Sequence, residues 1–252
     1  MRIHVSGLGG FIGRSLGPAL VARGHEVRRD GMEGCEAVVH LANIAHARAD
    51  RERLWKVNVE GTARIAESAA RAGVRRFLYM SSAKAREPDD DYGRAKLAAE
   101  QALSKIKGME VVILRPPLVY GPHVKANFLS LMRVISRGWP LPLASIENRR
   151  SLVFVGNLCD AIIACLESPA AAGKTFYVSD GDAVSTPALC RAIGSALGRP
   201  ARLFPFPPAL LPSERLTGSL VVDDAELRET GWRPRFSMEE GLKLTAAWYL
   251  NR

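Results

Sequence analysis

Gly7-Leu8-Gly9-Gly10-Phe11-Ile12-Gly13 stands between two segments of opposite texture. Before it, Arg2-Ile3-His4-Val5-Ser6 is short, alternating and rich in β-branched residues, which predicts a strand. After it, Leu16, Leu20 and Val21 recur at helical spacing until Gly24. The glycines Gly7, Gly10 and Gly13 therefore sit on a strand-to-helix turn in the pattern G-x-x-G-x-x-G. A turn this tight needs residues that tolerate positive φ. A pyrophosphate approaching the backbone needs a position without a Cβ. The following helix offers it unpaired N–H groups and the positive end of its dipole. A glycine turn that binds nothing is the plainer alternative. The strand before and the helix after supply the context that the dinucleotide reading requires.

Outward from that turn, strands and helices alternate. Glu26-Val27-Arg28 reads as a second strand, and Ala37-Val38-Val39-His40-Leu41 as an apolar strand buried on both faces of a parallel sheet. A helix follows over 54–72, with Val57, Ile65 and Ala69 inward. Phe77-Leu78-Tyr79-Met80 is a strand running into Ser81-Ser82. A helix over 92–107 carries Ala95, Ala99, Ala102 and Ile106 on one stripe. Val111-Val112-Ile113-Leu114 is another buried strand, closed by Arg115-Pro116-Pro117. The pattern predicts an α/β fold: a Rossmann-type doubly wound parallel sheet. From Gly121 prolines thicken and the elements become mixed. The expected plan is a dinucleotide-binding domain over 1–120 and a small C-terminal α+β substrate lobe over 121–252, partly interwoven with the first. In such sheets ligands lie beyond the carboxyl ends of the strands. The glycine turn, Ser82 and Pro116 all fall there and should converge on one crevice.

At 252 residues the chain can bury a substantial core. No apolar run reaches the length of a membrane span. The N-terminus enters a strand directly, without a signal-peptide pattern. Cys35, Cys159, Cys165 and Cys190 are scattered and form no C-x-x-C pair, which argues against zinc and for a reducing, cytoplasmic setting. The net charge of +9 suits anionic partners. Its densest groups are pairs such as Arg75-Arg76 and Arg149-Arg150. With no basic arm and no aromatic–basic patch, nucleic-acid binding is not expected, and much of the excess reads as solvated surface.

The chemistry is carried by Ser82, Tyr92 and Lys96. Tyr92-Gly93-Arg94-Ala95-Lys96 is Y-x-x-x-K, which on a helix places both side chains on one face. A phenol with its ordinary pKa near 10 is a poor base at neutral pH. A nearby ammonium and the positive nicotinamide ring of a bound dinucleotide both favour the phenolate, so that the pair can exchange a proton with a hydroxyl or carbonyl. A serine hydroxyl at a strand end can hold the same oxygen. Y-x-x-x-K also occurs by chance on surface helices; its place after a buried strand ending in Ser-Ser favours the catalytic reading.

These residues resemble a known family. The glycine turn, His40-Leu41-Ala42, Asn58-Val59-Glu60-Gly61-Thr62, Ser81-Ser82, Tyr92-x-x-x-Lys96, Arg115-Pro-Pro-Leu-Val-Tyr-Gly-Pro122 and Gly231-Trp232-Arg233-Pro234 follow the order seen in extended short-chain dehydrogenases/reductases, in the NAD-dependent epimerase/dehydratase group acting on nucleotide sugars. A narrower resemblance is to bacterial surface-polysaccharide enzymes that reduce UDP-4-keto-6-deoxy-N-acetylhexosamines. It rests on Val124-Lys125-Ala126-Asn127-Phe128, Asn148-Arg149-Arg150-Ser151-Leu152-Val153 and Arg215-Leu216-Thr217-Gly218-Ser219-Leu220. The resemblance implies that Tyr92 is the acid/base and Lys96 its partner, and that Ser82 binds the reacting oxygen. It implies that Gly7, Gly10, Phe11, Ile12 and Gly13 cradle the cofactor pyrophosphate. Leu41 and Ala42 would flank adenosine, and Pro117 and Val119 the nicotinamide. Asn127, Arg150 and Arg215 would meet the substrate diphosphate, for which guanidinium groups are suited. Asn58 would fix a helix to the sheet. The group commonly forms homodimers through the helices at 54–72 and 92–107. Arg28-Arg29-Asp30 after the second strand leaves NADP or NAD open, with the arginines leaning toward NADP.

Two departures stand out. Only nine residues lie between Val27 and Ala37, where the family places a helix and a strand, so the sheet should lack one edge strand. Nine separate Ser82 from Tyr92, where relatives carry a longer loop. Three functions follow as expectations: reduction of a UDP-linked 4-keto sugar, nucleotide-sugar 4-epimerisation or dehydration, and dinucleotide binding without catalysis. Ala83-Lys84 beside the serine, in place of acidic residues, disfavours the dehydratase.

Overall fold

The computed structural model describes residues 1–44, 50–211 and 217–252. The chain divides into two compact units, each built from three segments. The first comprises Met1–Pro116, Leu158–Val178 and Asp224–Arg233; the second comprises Pro117–Asn157, Ser179–Asp223 and Pro234–Arg252. The sequence reading puts the boundary at 120/121 with the second part partly interwoven with the first; the chain leaves the first unit after Pro116 and returns to it twice. The reason is sheet pairing: the last strand of the first unit comes from residues 175–177.

The first unit holds a six-stranded, wholly parallel sheet. Its strands are β1 (Arg2–Ser6), β2 (Glu26–Arg28), β3 (Ala37–His40), β4 (Arg76–Met80), β5 (Glu110–Arg115) and β8 (Thr175–Tyr177), in the order β2-β1-β3-β4-β5-β8. The order reverses at β1, as a doubly wound sheet requires. β2 stands at the edge, and no element lies between Arg28 and Ala37, so the edge strand expected to be missing is absent among the described residues. β3 and β4 are buried at every position, as their continuous apolar runs predict. The helices are α1 (Phe11–Ala22), α2 (Arg51–Trp55), α3 (Gly61–Arg71), α4 (Asp91–Leu103), α6 (Val155–Glu167, of which Leu158 onward belongs here) and α8 (Ala225–Glu229).

Register places the strand ends together. Ser6 pairs with His40, His40 with Tyr79 and Met80 with Leu114. Gly7, Leu41, Ser81 and Arg115 thus leave the sheet at one edge, its carboxyl edge.

The helix expected over 54–72 is interrupted. Lys56–Glu60 forms a π-turn, in which Gly61 N donates to Lys56 O. The wider ring changes the phase of the helix face. Asn58 and Val59 are buried, whereas Val57, expected inward, is exposed. Asn58 then bonds both backbone groups of Ile44, accepting from its N at 2.8 Å and donating to its O at 3.0 Å. Asn58 is therefore a clamp on the segment after β3.

One of the arginines expected at the surface is not there. Arg76 is 2% exposed; it donates to Glu110 and to the carbonyls of Cys165, Leu166 and Ser168. It closes the C-terminal end of α6, where carbonyls lack helical partners.

The second unit contains a two-stranded parallel sheet, β6 (Leu118–Tyr120) with β7 (Leu152–Phe154), and helices α5 (Ala126–Ser136), α7 (Thr186–Ala196) and α9 (Met238–Leu250). Its centre is Asp180, which accepts from Tyr120 Oη, from Phe154 N and from Asn157 Nδ2. α5 and β6 escape the sequence reading: β6 is only three residues long, and α5 is entered through positive φ at His123 and Ala126, although Phe128, Leu129, Met132 and Ile135 fall on one helix face. All four cysteines are buried and unpaired, and burial pushes the Cys159, Cys165 and Cys190 thiols up to about 12. No helix among the described residues is long and apolar enough to cross a membrane.

Candidate active site

The glycine turn closes with Gly10 N donating to Gly7 O at 2.9 Å. Gly7 has φ +83°, and a Cβ there would lie 2.9 Å from Ala42 N. A Cβ on Gly13 would fall 2.3 Å from Gly7 O. These two glycines build the turn. Gly9 and Gly10 are different: a Cβ on Gly9 meets nothing within 4 Å, and one on Gly10 meets only Gly7 O at 3.1 Å. The Gly9 face is open, and a Cβ on Gly10 would press only on the Gly7 carbonyl. Gly10 caps α1 without a side chain, the first turn holds no acidic residue, and the first helical bond is Arg14 N to Gly10 O. The N–H groups of Phe11, Ile12 and Gly13 are thus left for an anion. This cradle fits a dinucleotide pyrophosphate. Gly10→Val should keep the fold and abolish dinucleotide binding, and calorimetry on a variant with wild-type thermal unfolding checks it. Unchanged affinity would place the pyrophosphate elsewhere.

Around the cradle, Leu41 is buried and Ala42 N lies 3.4 Å from Ser6 Oγ. Ser6 Oγ also lies 2.7 Å from His40 Nδ1, and His40 Nε2 lies 3.1 Å from Thr62 Oγ1. Thr62 gives its proton to Asn58 O at 2.8 Å, so His40 Nε2 is the donor and Nδ1 accepts from Ser6. Burial holds this imidazole neutral, with its pKa down at about 3. Arg28 is exposed and donates to Glu26 at 2.7 Å, so one arginine of the pair is engaged, and Arg29 is exposed.

Ser82, Tyr92 and Lys96 come together at the carboxyl ends of β4 and β5. Asp90 caps α4 by accepting from Gly93 N at 2.8 Å, which starts the helix one residue before Tyr92. The Ser82 hydroxyl acts on the Tyr92 phenol, favouring its ionised form. Lys96 is completely buried; its Nζ donates to Met80 O at 2.6 Å and lies 4.7 Å from the Tyr79 ring centre and 5.8 Å from that of Tyr92. Burial pushes the Tyr92 phenol up to about 12, with the Asp90 charge adding to it and the Ser82 hydrogen bond opposing it. Burial pulls Lys96 down to about 7, against the pull of Glu100. In the protein alone, desolvation is the larger effect on both groups, and both tend to neutrality.

Two contacts beside Tyr92 escaped the sequence. Lys84 Nζ donates to Asp90 at 2.6 Å and to Asp89 at 3.3 Å, pairing with the carboxylate beside Tyr92. The short connection also lies against the first turn of α4, where a Cβ on Gly93 would be 2.8 Å from Lys84 O and 3.1 Å from Pro88 Cβ. The glycine after the tyrosine was a usable signal; the lysine was not.

The remaining expected residues lie in the second unit. Pro117 and Val119 precede and join β6, and Asn127 is exposed on the first turn of α5. Arg150 is half-buried, its guanidinium pushed down by burial, with Nη1 donating to Gly218 O at 3.3 Å. Arg215 falls outside the described residues.

Compared with known proteins, residues 29–179 match the description "NAD dependent epimerase/dehydratase family". A UDP-glucose 4-epimerase from Vibrio cholerae is 41% identical over 87% of this chain and 78% of its own length. The chain belongs to the NAD-dependent epimerase/dehydratase family. Within solved structures, a UDP-glucose 4-epimerase from Thermotoga maritima, determined with UDP-glucose, superimposes with a TM-score of 0.83 at 22% identity, covering 100% of this chain and 99% of that one. The UDP-glucose 4-epimerase of Thermus thermophilus, determined with NAD, gives 0.81 at 25% identity over 99% of both. Family membership agrees with the resemblance read from the sequence; the narrower likeness to 4-keto reductases finds no specific support in these relatives.

Proposed function

We propose that the protein catalyses NAD(P)-dependent oxidation–reduction at C4 of a nucleotide sugar, and that 4-epimerisation of a UDP-hexose is its reaction. The observation that carries the proposal is the grouping of Ser82, Tyr92 and Lys96 at the sheet edge that also carries the uncapped α1 terminus. Similarity to the Vibrio cholerae epimerase supports the epimerase over the reductase.

The bound dinucleotide supplies the hydride acceptor and donor. Tyr92 takes the proton of the C4 hydroxyl and returns it, and Ser82 holds that oxygen by a hydrogen bond. A phenol near 12 is a strong enough acid to donate once a carbonyl forms, and needs added positive charge to act as a base. Lys96, still able to take a proton near neutrality, orients and polarises the phenol from the same helix face. In the second unit we assign Asn127 and Arg150 to the diphosphate.

Purified protein should interconvert UDP-glucose and UDP-galactose with catalytic NAD and no net NADH. The exposed Arg29 keeps one second reading in view, NADPH-dependent reduction of a UDP-4-keto-6-deoxy-N-acetylhexosamine. NADPH consumption with that sugar, and no interconversion of the hexoses, would replace the first reading with the second. Dinucleotide binding with neither reaction would leave a non-catalytic binding protein.

A further inference from the structure

We propose that Glu100 is a positioning residue for this group: its carboxylate locks α4, and with it Lys96, to the carboxyl ends of β4 and β5. The inference rests on the roles given above to Ser82, Tyr92 and Lys96. Glu100 lies one turn beyond Lys96 on α4 and is 6% exposed. Its Oε1 accepts from Ser81 Oγ and, at 3.0 Å, from Arg115 Nε; its Oε2 accepts from Arg115 Nη2. Arg115 Nη1 also donates to Tyr177 Oη at 3.2 Å.

These partners lie at the chain positions from which the site departs. Ser81 immediately precedes Ser82, and its N donates to Leu114 O at 2.8 Å. Arg115 immediately precedes Pro116, whose carbonyl accepts from Ala83 N at 2.9 Å. One carboxylate on the helix thus holds both strand ends. Apolar side chains of the same volume would pack the helix on the sheet at lower desolvation cost. The ion pair and the serine bond add a fixed register, in the same sense that buried polar groups fix register elsewhere.

Charge points the same way. The groups facing Lys96 are the Met80 carbonyl and the Tyr79 ring from β4, Tyr92 and Glu100 from α4, and the neutral His40 from β3. Glu100 is the anion among them. It holds the Lys96 ammonium up while burial pulls it down.

The test uses the full chain with Glu100→Gln, Glu100→Asp and Ser81→Ala. Lys96 is titrated without cofactor by NMR of 13Cε-labelled lysine, its resonance assigned through Lys96→Met. In Glu100→Gln the Lys96 titration should move down by about one pH unit. The kcat for hexose interconversion should fall about ten- to a hundredfold, as for a small misplacement of reacting groups, with the sugar KM within about twofold. The alkaline limb of the rate profile should move to lower pH, because the ammonium is lost earlier. Glu100→Asp should restore the titration. Ser81→Ala should lower kcat without moving the titration. If Glu100→Gln does not fold, Glu100→Gln with Arg115→Gln removes both charges and keeps the readouts. An unmoved Lys96 titration, or a rate loss that only tracks the loss of folded protein, overturns the proposal. If the wild type turns over neither sugar, the functional reading fails alone, and the Lys96 titration still decides the role of Glu100.

Discussion

Tyr92→Phe should lower kcat by about a hundred- to ten-thousandfold, the range of general acid–base groups, while leaving dinucleotide affinity close to wild type. The ring stays in place over the same buried surface; what is lost is the transferable proton. The loss should therefore appear in kcat and not in the dissociation constant measured by calorimetry. Lys96→Met should also cost rate. Because Lys96 titrates near 7 in the free protein, its contribution should fade as pH rises through that region. Cofactor binding that brings negative charge near the ammonium would move this limb upward. A Tyr92→Phe enzyme within a few-fold of wild type would remove Tyr92 from the chemistry, since that is the behaviour of a surface substitution.

Arg76→Met should cost about 3–5 kcal/mol of stability, because three carbonyls lose their donor, each buried group left unsatisfied costing about 1–3 kcal/mol. The methionine fills most of the volume, so the cost is polar. Glu110 is half-exposed and can be rehydrated, but the carbonyls of Cys165, Leu166 and Ser168 lose their donor in a buried place. Domains are stable by only about 5–15 kcal/mol, so this is a large fraction of the total. Thermal unfolding should shift down by on the order of 10 °C. Arg75→Met, at the exposed neighbouring position, is the control and should stay within about 0.5 kcal/mol. A shift as small at Arg76 as at Arg75 would mean that the guanidinium carries no net stabilisation.

The two adjacent arginines show where sequence reading stops. Arg75 and Arg76 are indistinguishable by composition, and both read as solvated charge. The start of β4 decides between them: Arg75 precedes the strand, whereas Arg76 opens it and is buried at the end of α6. A partner 89 residues away has no local signature.

The sequence by itself determined the elements whose causes are local. The turn at Gly7–Gly13 follows from the φ and close-approach demands of glycine, the buried strands from unbroken apolar runs, and the Tyr92–Lys96 face from helical spacing. Even the missing edge strand was legible, because nine residues cannot hold a helix and a strand. The tertiary structure alone decided what depends on distant partners and on burial. It turned Val57 outward through a π-turn, set Lys84 against Asp90 and tied Glu100 to Ser81 and Arg115. It also set the burial that moves Tyr92 and Lys96 toward neutrality in the protein alone. A motif fixes which groups are present and how far apart they lie along a helix. The protonation of those groups is fixed by the water removed from around them, and that follows only from the packed fold.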